Sequence, residues 1–174
     1  LTRIVTAAPS ATTATHASAE CVDTAGRRDF GCTPHNWFSA KLVRFIRDLL
    51  VYEGHDQRLH LLRGLAPAWM APDMEVGLHA APTAWGQLTF TAAMRAQGFD
   101  LALEFKPRHG MRLPPIVLHL PPFLRGVTVR AAGQALPSGG DGWILPDAVC
   151  EVTVSWKPAP LPEISFEKVA AAYV

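Results

Sequence analysis

Acidic residues near the N-terminus are the first side chains whose types and spacing could do chemistry. Two carboxyl groups can act as a general acid and a base when their surroundings keep one protonated and leave the other ionised. Glu20, Asp23 and Asp29 form a cluster of acids in the N-terminal segment, and we select Glu20 and Asp29 as the candidate catalytic pair. Acidic side chains are usually exposed, so roles in solvated turns or caps compete with this interpretation, as they do for Glu53 and Asp56.

Five tryptophans form a second group of candidates, because sugar rings stack their C–H faces on aromatic planes while flanking polar groups form hydrogen bonds. Trp156 fits a buried strand position, and Trp37 is expected to pack at the start of a helix. The other three lie close to Pro or Gly in turns and are interpreted either as core residues or as sugar platforms: Trp69, Trp85 and Trp143. Trp143, close to Asp141 in a Gly-rich turn, is the preferred platform. Arg63, Arg95 and Arg130 could supply hydrogen bonds, although solvated strand faces are their default role.

Metal-binding and other catalytic patterns are weak in the sequence. Several potential metal ligands fall close together near the N-terminus: His16, Glu20, Cys21, Cys32 and His35. Cys21 and Cys32 lack the spacing of about two to four residues that is typical of a zinc site, so we predict no bound metal. His60 and His119 alternate with leucines in predicted strands and are interpreted as outward-facing or hydrogen-bonded structural residues. The sequence contains no GxSxG elbow, and the glycines of 138–142 form a turn without a phosphate-loop Lys, so no cofactor is predicted.

The three cysteines give little information about function. Cys21 and Cys32 could pair across a short loop in an oxidising compartment, although reduced thiols are the default. Cys150 lies in a predicted strand, and we expect it to be a buried free thiol.

Length and composition describe a globular chain. Its 174 residues can bury a sizeable core as one domain, or as one domain with an appendage. Lys and Arg total 16 against 15 for Asp and Glu, so there is no strong field to recruit nucleic acid or an anionic membrane. No run approaches the roughly 18 uninterrupted apolar residues of a membrane helix. We expect a soluble chain without a nucleic-acid or membrane partner, either cytoplasmic or secreted as part of a longer protein.

One amphipathic helix is predicted near the start of the chain, after an irregular segment over residues 1–33. Thr33 or Asn36 supplies an N-cap, and Gly54 supplies a stop, so the helix lies within 34–54 and ends near Tyr52. Apolar residues recur along it at spacings of three and four: Phe38, Leu42, Phe45, Ile46 and Leu49. This pattern predicts one broad buried face.

Beyond Gly54 the apolar period changes to two, which predicts β-strands over residues 55–174. The strand candidates are Leu59 to Leu61, Glu75 to His79, Leu88 to Ala96, Leu101 to Phe105, Ile116 to Leu120, Val127 to Ala131 and Val149 to Trp156. Prolines lie between them, where a missing amide proton does not interrupt a ladder. The spacing predicts a mostly β fold, an antiparallel β-sandwich of the jelly-roll type preceded by one α-helix.

Several segments together carry a resemblance to a known family. The helix ending RFIRDLLVYE is followed by RLHLLRGLAPAWM, EVGLHAAPTAWGQLTF and LALEFKP. This arrangement, over roughly residues 34–158, resembles the C-terminal end of bacterial glycoside hydrolases with an α-helical toroid catalytic domain. The resemblance implies a last toroid helix followed by a β-sandwich, and a carbohydrate substrate. It carries over no catalytic acid or base, because those residues would lie on toroid loops that precede this chain.

Two function classes follow. The first is a glycoside-hydrolase-related protein that acts on oligo- or polysaccharide, with this chain as its C-terminal β-sandwich portion. The second is a noncatalytic module that binds carbohydrate or packs against another domain. In either class the apolar face of the 36–52 helix is expected to meet a helical partner domain or a second copy of the chain.

Overall fold

The computed structural model describes residues 21–22, 29–30, 36–140 and 142–162 of the 174-residue chain. The chain divides between Arg47 and Asp48 into two compact units, and the larger unit, which begins at Asp48, holds both large sheets. Within the described residues, no helix is both long enough and apolar enough to cross a membrane.

The predicted helix is present as α1 (Asn36–Leu50). It ends earlier than the predicted Tyr52, because Val51 begins a strand that pairs with Leu61. The carbonyls of Leu49 and Leu50 accept hydrogen bonds from the backbone of Gly64 (3.0 Å) and Leu62 (2.9 Å). The last helical carbonyls are therefore bonded to the chain that follows the next hairpin, which sets where the helix stops.

The apolar face of α1 is narrower than predicted. Four apolar side chains with spacings of four, three and four are half-buried: Phe38, Leu42, Phe45 and Leu49. Ile46 lies at the edge of this stripe and is 44% exposed, and Trp37 is 81% exposed, so their predicted burial is wrong. Phe38 takes the half-buried position of the first turn in place of Trp37. A partner for this helix stays a prediction.

The fold is mostly β, as predicted, and forms a β-sandwich after the helix. The strands are β1 (Cys21–Val22), β2 (Asp29–Phe30), β3 (Val51–Glu53), β4 (Leu59–Leu61), β5 (Glu75–Pro82), β6 (Gly86–Arg95), β7 (Gly98–Pro107), β8 (Ile116–Leu118), β9 (Thr128–Ala131), β10 (Gln134–Ala135), β11 (Trp143–Ile144) and β12 (Glu151–Ser155). The larger sheet is antiparallel in the order β10-β9-β12-β7-β6-β5. The smaller sheet has the order β11-β8-β4-β3.

One strand pair departs from the predicted antiparallel arrangement. In the smaller sheet β4 and β8 run parallel, with Leu59 opposite Ile116 and Leu61 opposite Leu118. The short strands β3 and β11 flank this pair, antiparallel to it, and were not predicted. The parallel pair joins two segments that are far apart in the chain, and the site described below lies over it.

Both sheets contribute to one hydrophobic core, and strand alternation explains which residues enter it. Leu88, Phe90, Ala92 and Met94 of β6 are buried together, as predicted from their spacing. They join buried residues of β4, β7, β8 and β12 in one cluster. Trp156, just past β12, is also buried, as predicted.

The prediction that Cys150 is a buried thiol is wrong, because Cys150 is an exposed free cysteine. The alternation of β12 starts only at Glu151. Before it, Val149 donates a backbone hydrogen bond to Pro146 (3.3 Å), and Ala148 has a φ of 57°. Because the chain turns just before Cys150, this residue precedes the alternating strand and does not share its buried face.

The described residues of the N-terminal segment form a short antiparallel ladder, in which Cys21 pairs with Phe30 and Val22 with Asp29. These four residues are strands rather than the irregular chain that was predicted for 1–33. Glu20, Cys32 and the nearby potential ligands His16 and His35 lie outside the described residues, as does the side chain of Asp29.

Candidate functional site

An open groove of about 790 Å³ lies over the smaller sheet, on the side away from the core. We call it the histidine groove. Its aromatic, ionisable and charged lining residues are Tyr52, His55, Asp56, His60, Arg63, His119 and Trp143. Ser138 and the glycines 139, 140 and 142 form one wall.

Strand alternation and register bring the groove residues together. In β4, Leu59 and Leu61 are fully buried, so His60 between them points away from the core. Tyr52 of β3 is directly opposite His60 in the antiparallel pair. On the other side of β4, the backbone N–H of His119 donates to the carbonyl of Leu61 at 2.9 Å, which places His119 just past the end of β8.

His60 is the centre of a hydrogen-bonded chain of three side chains. Its Nδ1 lies 2.8 Å from Nε2 of His119, and its Nε2 lies 3.1 Å from Oδ1 of Asp56. An ionised carboxylate can only accept hydrogen bonds, so His60 Nε2 is protonated and donates a hydrogen bond to Asp56. When His60 is neutral, its Nδ1 therefore accepts a hydrogen bond from Nε2–H of His119. The contact with Asp56 thus sets the tautomers of both imidazoles.

Asp56 is held as an anion by its neighbours. The hydrogen bond with His60 is the main cause that lowers the pKa of Asp56 below its ordinary value of 3.8, and desolvation opposes it. The backbone N–H of Arg58 also donates to Asp56 Oδ1 at 3.2 Å, and the Arg58 Nε lies 3.7 Å from Oδ2. Asp56 is therefore ionised at neutral pH and cannot serve there as a proton-donating acid.

The tight β3–β4 hairpin aims Asp56 at His60. Gly54 and Arg58 close the loop through a backbone hydrogen bond of 2.9 Å, and Gln57 takes a φ of 61° inside it. A Cβ on Gly54 would overlap the Asp56 carboxylate and would lie 2.6 Å from Nε2 of His60. Position 54 thus needs glycine for the Asp56–His60 hydrogen bond to form.

Arg63 adds a cation on the Tyr52 side of the groove. Its guanidinium lies 4.6 Å from the centroid of the Tyr52 ring, a cation–π distance. The Tyr52 ring is 5.9 Å from the His60 ring, and the His60 ring is 5.0 Å from that of His119. Arg63, Tyr52, His60 and His119 therefore form one continuous row of planar groups.

Trp143 borders the groove at its other end. It is half-buried, packs against the core, and pairs through β11 with Leu118 of β8. The preceding Gly142 has a φ of 132°, and a Cβ there would lie 2.5 Å from the carbonyl oxygen of Leu118. Glycine at 142 thus allows the turn to approach β8 closely enough for β11 to pair with it.

The structure brings together only part of the predicted sugar-binding set. Trp143 lines the histidine groove, and the two glycines that flank Asp141 line it as well, while Asp141 itself lies outside the described residues. Trp69 lies in a 3-10 helix (Pro67–Met70), and Trp85 lies in the turn before β6. Both are half-buried against the core, and neither lines this groove.

Sequence reasoning did not select Asp56, His60, His119 or Tyr52 as site residues. The signal that was available is the repeated tripeptide Leu-His-Leu, at 59–61 and 118–120. A polar residue between two apolar ones on a buried strand points away from the core, and two such residues on neighbouring strands meet.

The groove does not have the donor set of a metal site. Among the described residues, no group of three or more His, Cys, Asp or Glu side chains is arranged to hold a metal ion. Both ring nitrogens of His60 are already engaged in hydrogen bonds. What the groove offers is a set of hydrogen-bonding groups with fixed tautomers beside aromatic planes.

Comparison with known proteins identifies no relative: no protein-family model, no curated protein and no solved structure matches the chain. The resemblance to toroid glycoside hydrolases stays a prediction.

Proposed function

We propose that this chain binds an oligo- or polysaccharide in the histidine groove, as the β-sandwich portion of a protein related to glycoside hydrolases. The observation that supports this most is that Trp143 and Tyr52 line the same groove as Asp56, His60 and His119. A sugar offers apolar C–H faces to the aromatic rings and hydroxyl groups to the polar side chains.

The size and polarity of the groove suit such a ligand. Its volume of about 790 Å³ lies within the range of roughly 300 to 1,000 Å³ that is usual for small-molecule sites. Hydroxyl groups both donate and accept hydrogen bonds, and the groove offers an acceptor in Asp56 and donors in Arg63. Tautomers fixed through His60 leave these groups ordered before the ligand arrives, which lowers the entropy cost of binding.

Binding is favoured over hydrolysis as the function of this groove. Glycoside hydrolysis usually needs two carboxyl groups, one of them protonated. Among the described lining residues Asp56 is the one carboxylate, and its lowered pKa keeps it ionised. Hydrolysis by the pair Glu20 and Asp29 is a separate proposal, tested by product release from polysaccharides with the Glu20→Gln/Asp29→Asn double variant beside the unchanged chain.

Isothermal titration with a panel of oligosaccharides, together with affinity electrophoresis in soluble polysaccharides, tests the binding proposal. We expect Trp143→Ala to weaken binding at least about tenfold, which corresponds to ~1.4 kcal/mol. Trp143→Phe keeps an aromatic plane and should retain most of the affinity. Trp85→Ala is the matched control, because Trp85 is also half-buried against the core but lies outside the groove.

Thermal unfolding of each variant separates loss of binding from loss of folding. Absence of binding to the whole panel, or equal affinity of Trp143→Ala and the unchanged chain, would overturn the proposal.

A further inference from the structure

We propose that the histidine groove selects acidic sugars, with Arg63 as the residue that binds the carboxylate of a uronate unit. The inference rests on the proposed function and names its ligand class. It follows from the two charged side chains of the groove, Asp56 and Arg63, because the described residues form ion pairs with the first and not with the second.

The carboxylate of Asp56 is compensated within the described protein. His60 donates to it at 3.1 Å, and Arg58 contacts it through its backbone N–H and its guanidinium. Arg63 is different, because no carboxylate among the described residues forms an ion pair with it. Its recorded contact is the face of the Tyr52 ring.

The contact with Tyr52 leaves Arg63 exposed. A guanidinium held over an aromatic ring is restricted in orientation by that ring, while N–H groups that do not contact the ring can reach a ligand. Two parallel N–H groups match the two oxygens of a carboxylate, which gives a bidentate, charge-assisted pair. The pre-oriented fork loses less side-chain entropy on binding than a free arginine would.

The chain takes an unusual backbone conformation to present Arg63 to the groove. Leu61 and Leu62 are both buried, and Leu62 has a φ of 57°. Under strict alternation after Leu61, residue 62 would point outward and residue 63 inward. The left-handed residue breaks that alternation, so Leu62 enters the core and Arg63 is exposed at the groove. Strain of this kind persists where the surrounding structure requires it, often at functional sites.

A uronate differs from its neutral counterpart only by the carboxylate, so matched ligands test the inference. The probes are oligosaccharides of polygalacturonate, alginate and hyaluronan, each with its carboxyl-reduced counterpart, titrated at low and high salt. We expect at least one acidic oligosaccharide to bind about tenfold or more tightly than its reduced form. The preference should weaken with added salt, since the charge pair is solvent-accessible.

Variants at Arg63 then assign the preference. Arg63→Gln should reduce the acidic-to-reduced affinity ratio to about twofold or less, and Arg63→Lys, which keeps the charge but not the fork, should give an intermediate ratio. Arg95→Gln is the control, because Arg95 pairs with Asp100 and lies outside the groove. Its ratio should equal that of the unchanged chain.

The outcomes separate this inference from the proposed function. Equal affinity for acidic and reduced oligosaccharides, or a preference that survives Arg63→Gln, would overturn acidic-sugar selection while leaving carbohydrate binding in place. Absence of binding to either form would overturn both.

Discussion

Nδ1 of His60 lies 2.8 Å from Nε2 of His119, across the parallel pair of β4 and β8. A nitrogen–nitrogen hydrogen bond needs one proton between its two atoms, so one of these two nitrogens carries the proton and the other accepts. Asp56 fixes the tautomer of His60 by accepting a hydrogen bond from its other nitrogen, Nε2. A single carboxylate on a hairpin loop therefore organises the polar half of the histidine groove.

The Asp56 carboxylate should make stability depend on pH in a defined window. Its pKa is lowered in the folded chain relative to the ordinary value of 3.8, so the unfolded chain binds more protons when the pH lies between the two values. Its stabilising contribution is thus fully present above the unfolded pKa and is lost as the pH falls through the lower, folded pKa. We expect Asp56→Asn to destabilise the protein at pH 7 and to differ much less from the unchanged chain at pH 2.

Urea unfolding of both chains at several pH values checks this expectation. The difference between the two chains is the relevant quantity, because other carboxylates titrate in the same range. Asp147→Asn serves as the control, since Asp147 is an exposed carboxylate outside the histidine groove. A difference for Asp56→Asn that stays constant from pH 7 to pH 2 would contradict the assigned role.

A methyl group at position 54 should separate Asp56 from His60 with little damage to the fold. The Cβ of Gly54→Ala meets the ends of two side chains and no backbone atom among its nearest contacts, so the side chains move apart. We expect a small loss of unfolding free energy, because the substitution breaks a solvent-exposed hydrogen bond. Gly140→Ala is the matched control, because a Cβ there would have nothing within 4 Å.

NMR titration of the Asp56 carboxyl group measures the local effect of this substitution. In Gly54→Ala the pKa of Asp56 should return toward its ordinary value, because the hydrogen bond that lowers it is lost, whereas Gly140→Ala should leave it low. An Asp56 pKa that stays low in Gly54→Ala would show that the loop absorbs the methyl group in another way.

The backbone conformation of Leu62 should decide which of two substitutions at this position, Ala or Gly, gives the more stable protein. Leu62→Ala removes a side chain that is 1% exposed and should cost about 2 to 5 kcal/mol of stability. At an ordinary position inside a helix or strand, Gly is less stable than Ala by roughly 0.5 to 1 kcal/mol. At a φ of 57° the left-handed conformation is unfavourable for Ala and free for Gly, so we expect Leu62→Gly to be at least as stable as Leu62→Ala.

Denaturant unfolding of the two variants decides the order. The same pair of substitutions at Leu88, a fully buried residue within β6, is the control and should show the ordinary order, with Ala more stable than Gly. If Leu62→Gly were clearly the less stable of its pair, the left-handed conformation would not be what exposes Arg63.

Much of the fold follows from local patterns in the sequence. The alternation of Leu88, Phe90, Ala92 and Met94 predicts both a strand and its buried face, and prolines mark most of the turns correctly. The apolar pattern does not show where the backbone turns. For this reason Cys150 was placed inside a strand, and the end of α1 was placed too late. Strands of two or three residues, such as β3 and β11, are too short to show a period at all.

The groove could not be assembled from those patterns. Alternation predicts that His60 and His119 point away from the core, but it carries no information about which strands are neighbours. The two histidines are 59 positions apart, and only the parallel register of β4 with β8 brings their rings together. Trp143 was recognised from its glycine-rich surroundings, a local signal, whereas its histidine neighbours depend on a long-range pairing.

The parallel pairing of β4 with β8 also bears on the order of folding. The chain between these strands contains β5, β6 and β7, and the pairs β5–β6 and β6–β7 each join strands that are consecutive in the sequence. Contacts with short loops form fast, and a contact that closes a long loop must overcome a larger entropy of closure. We expect the β5–β6–β7 meander to form early and the two histidines to meet late. A ligand of the groove would then bind only to chains that have completed this last step, and would draw the folding equilibrium toward them by mass action.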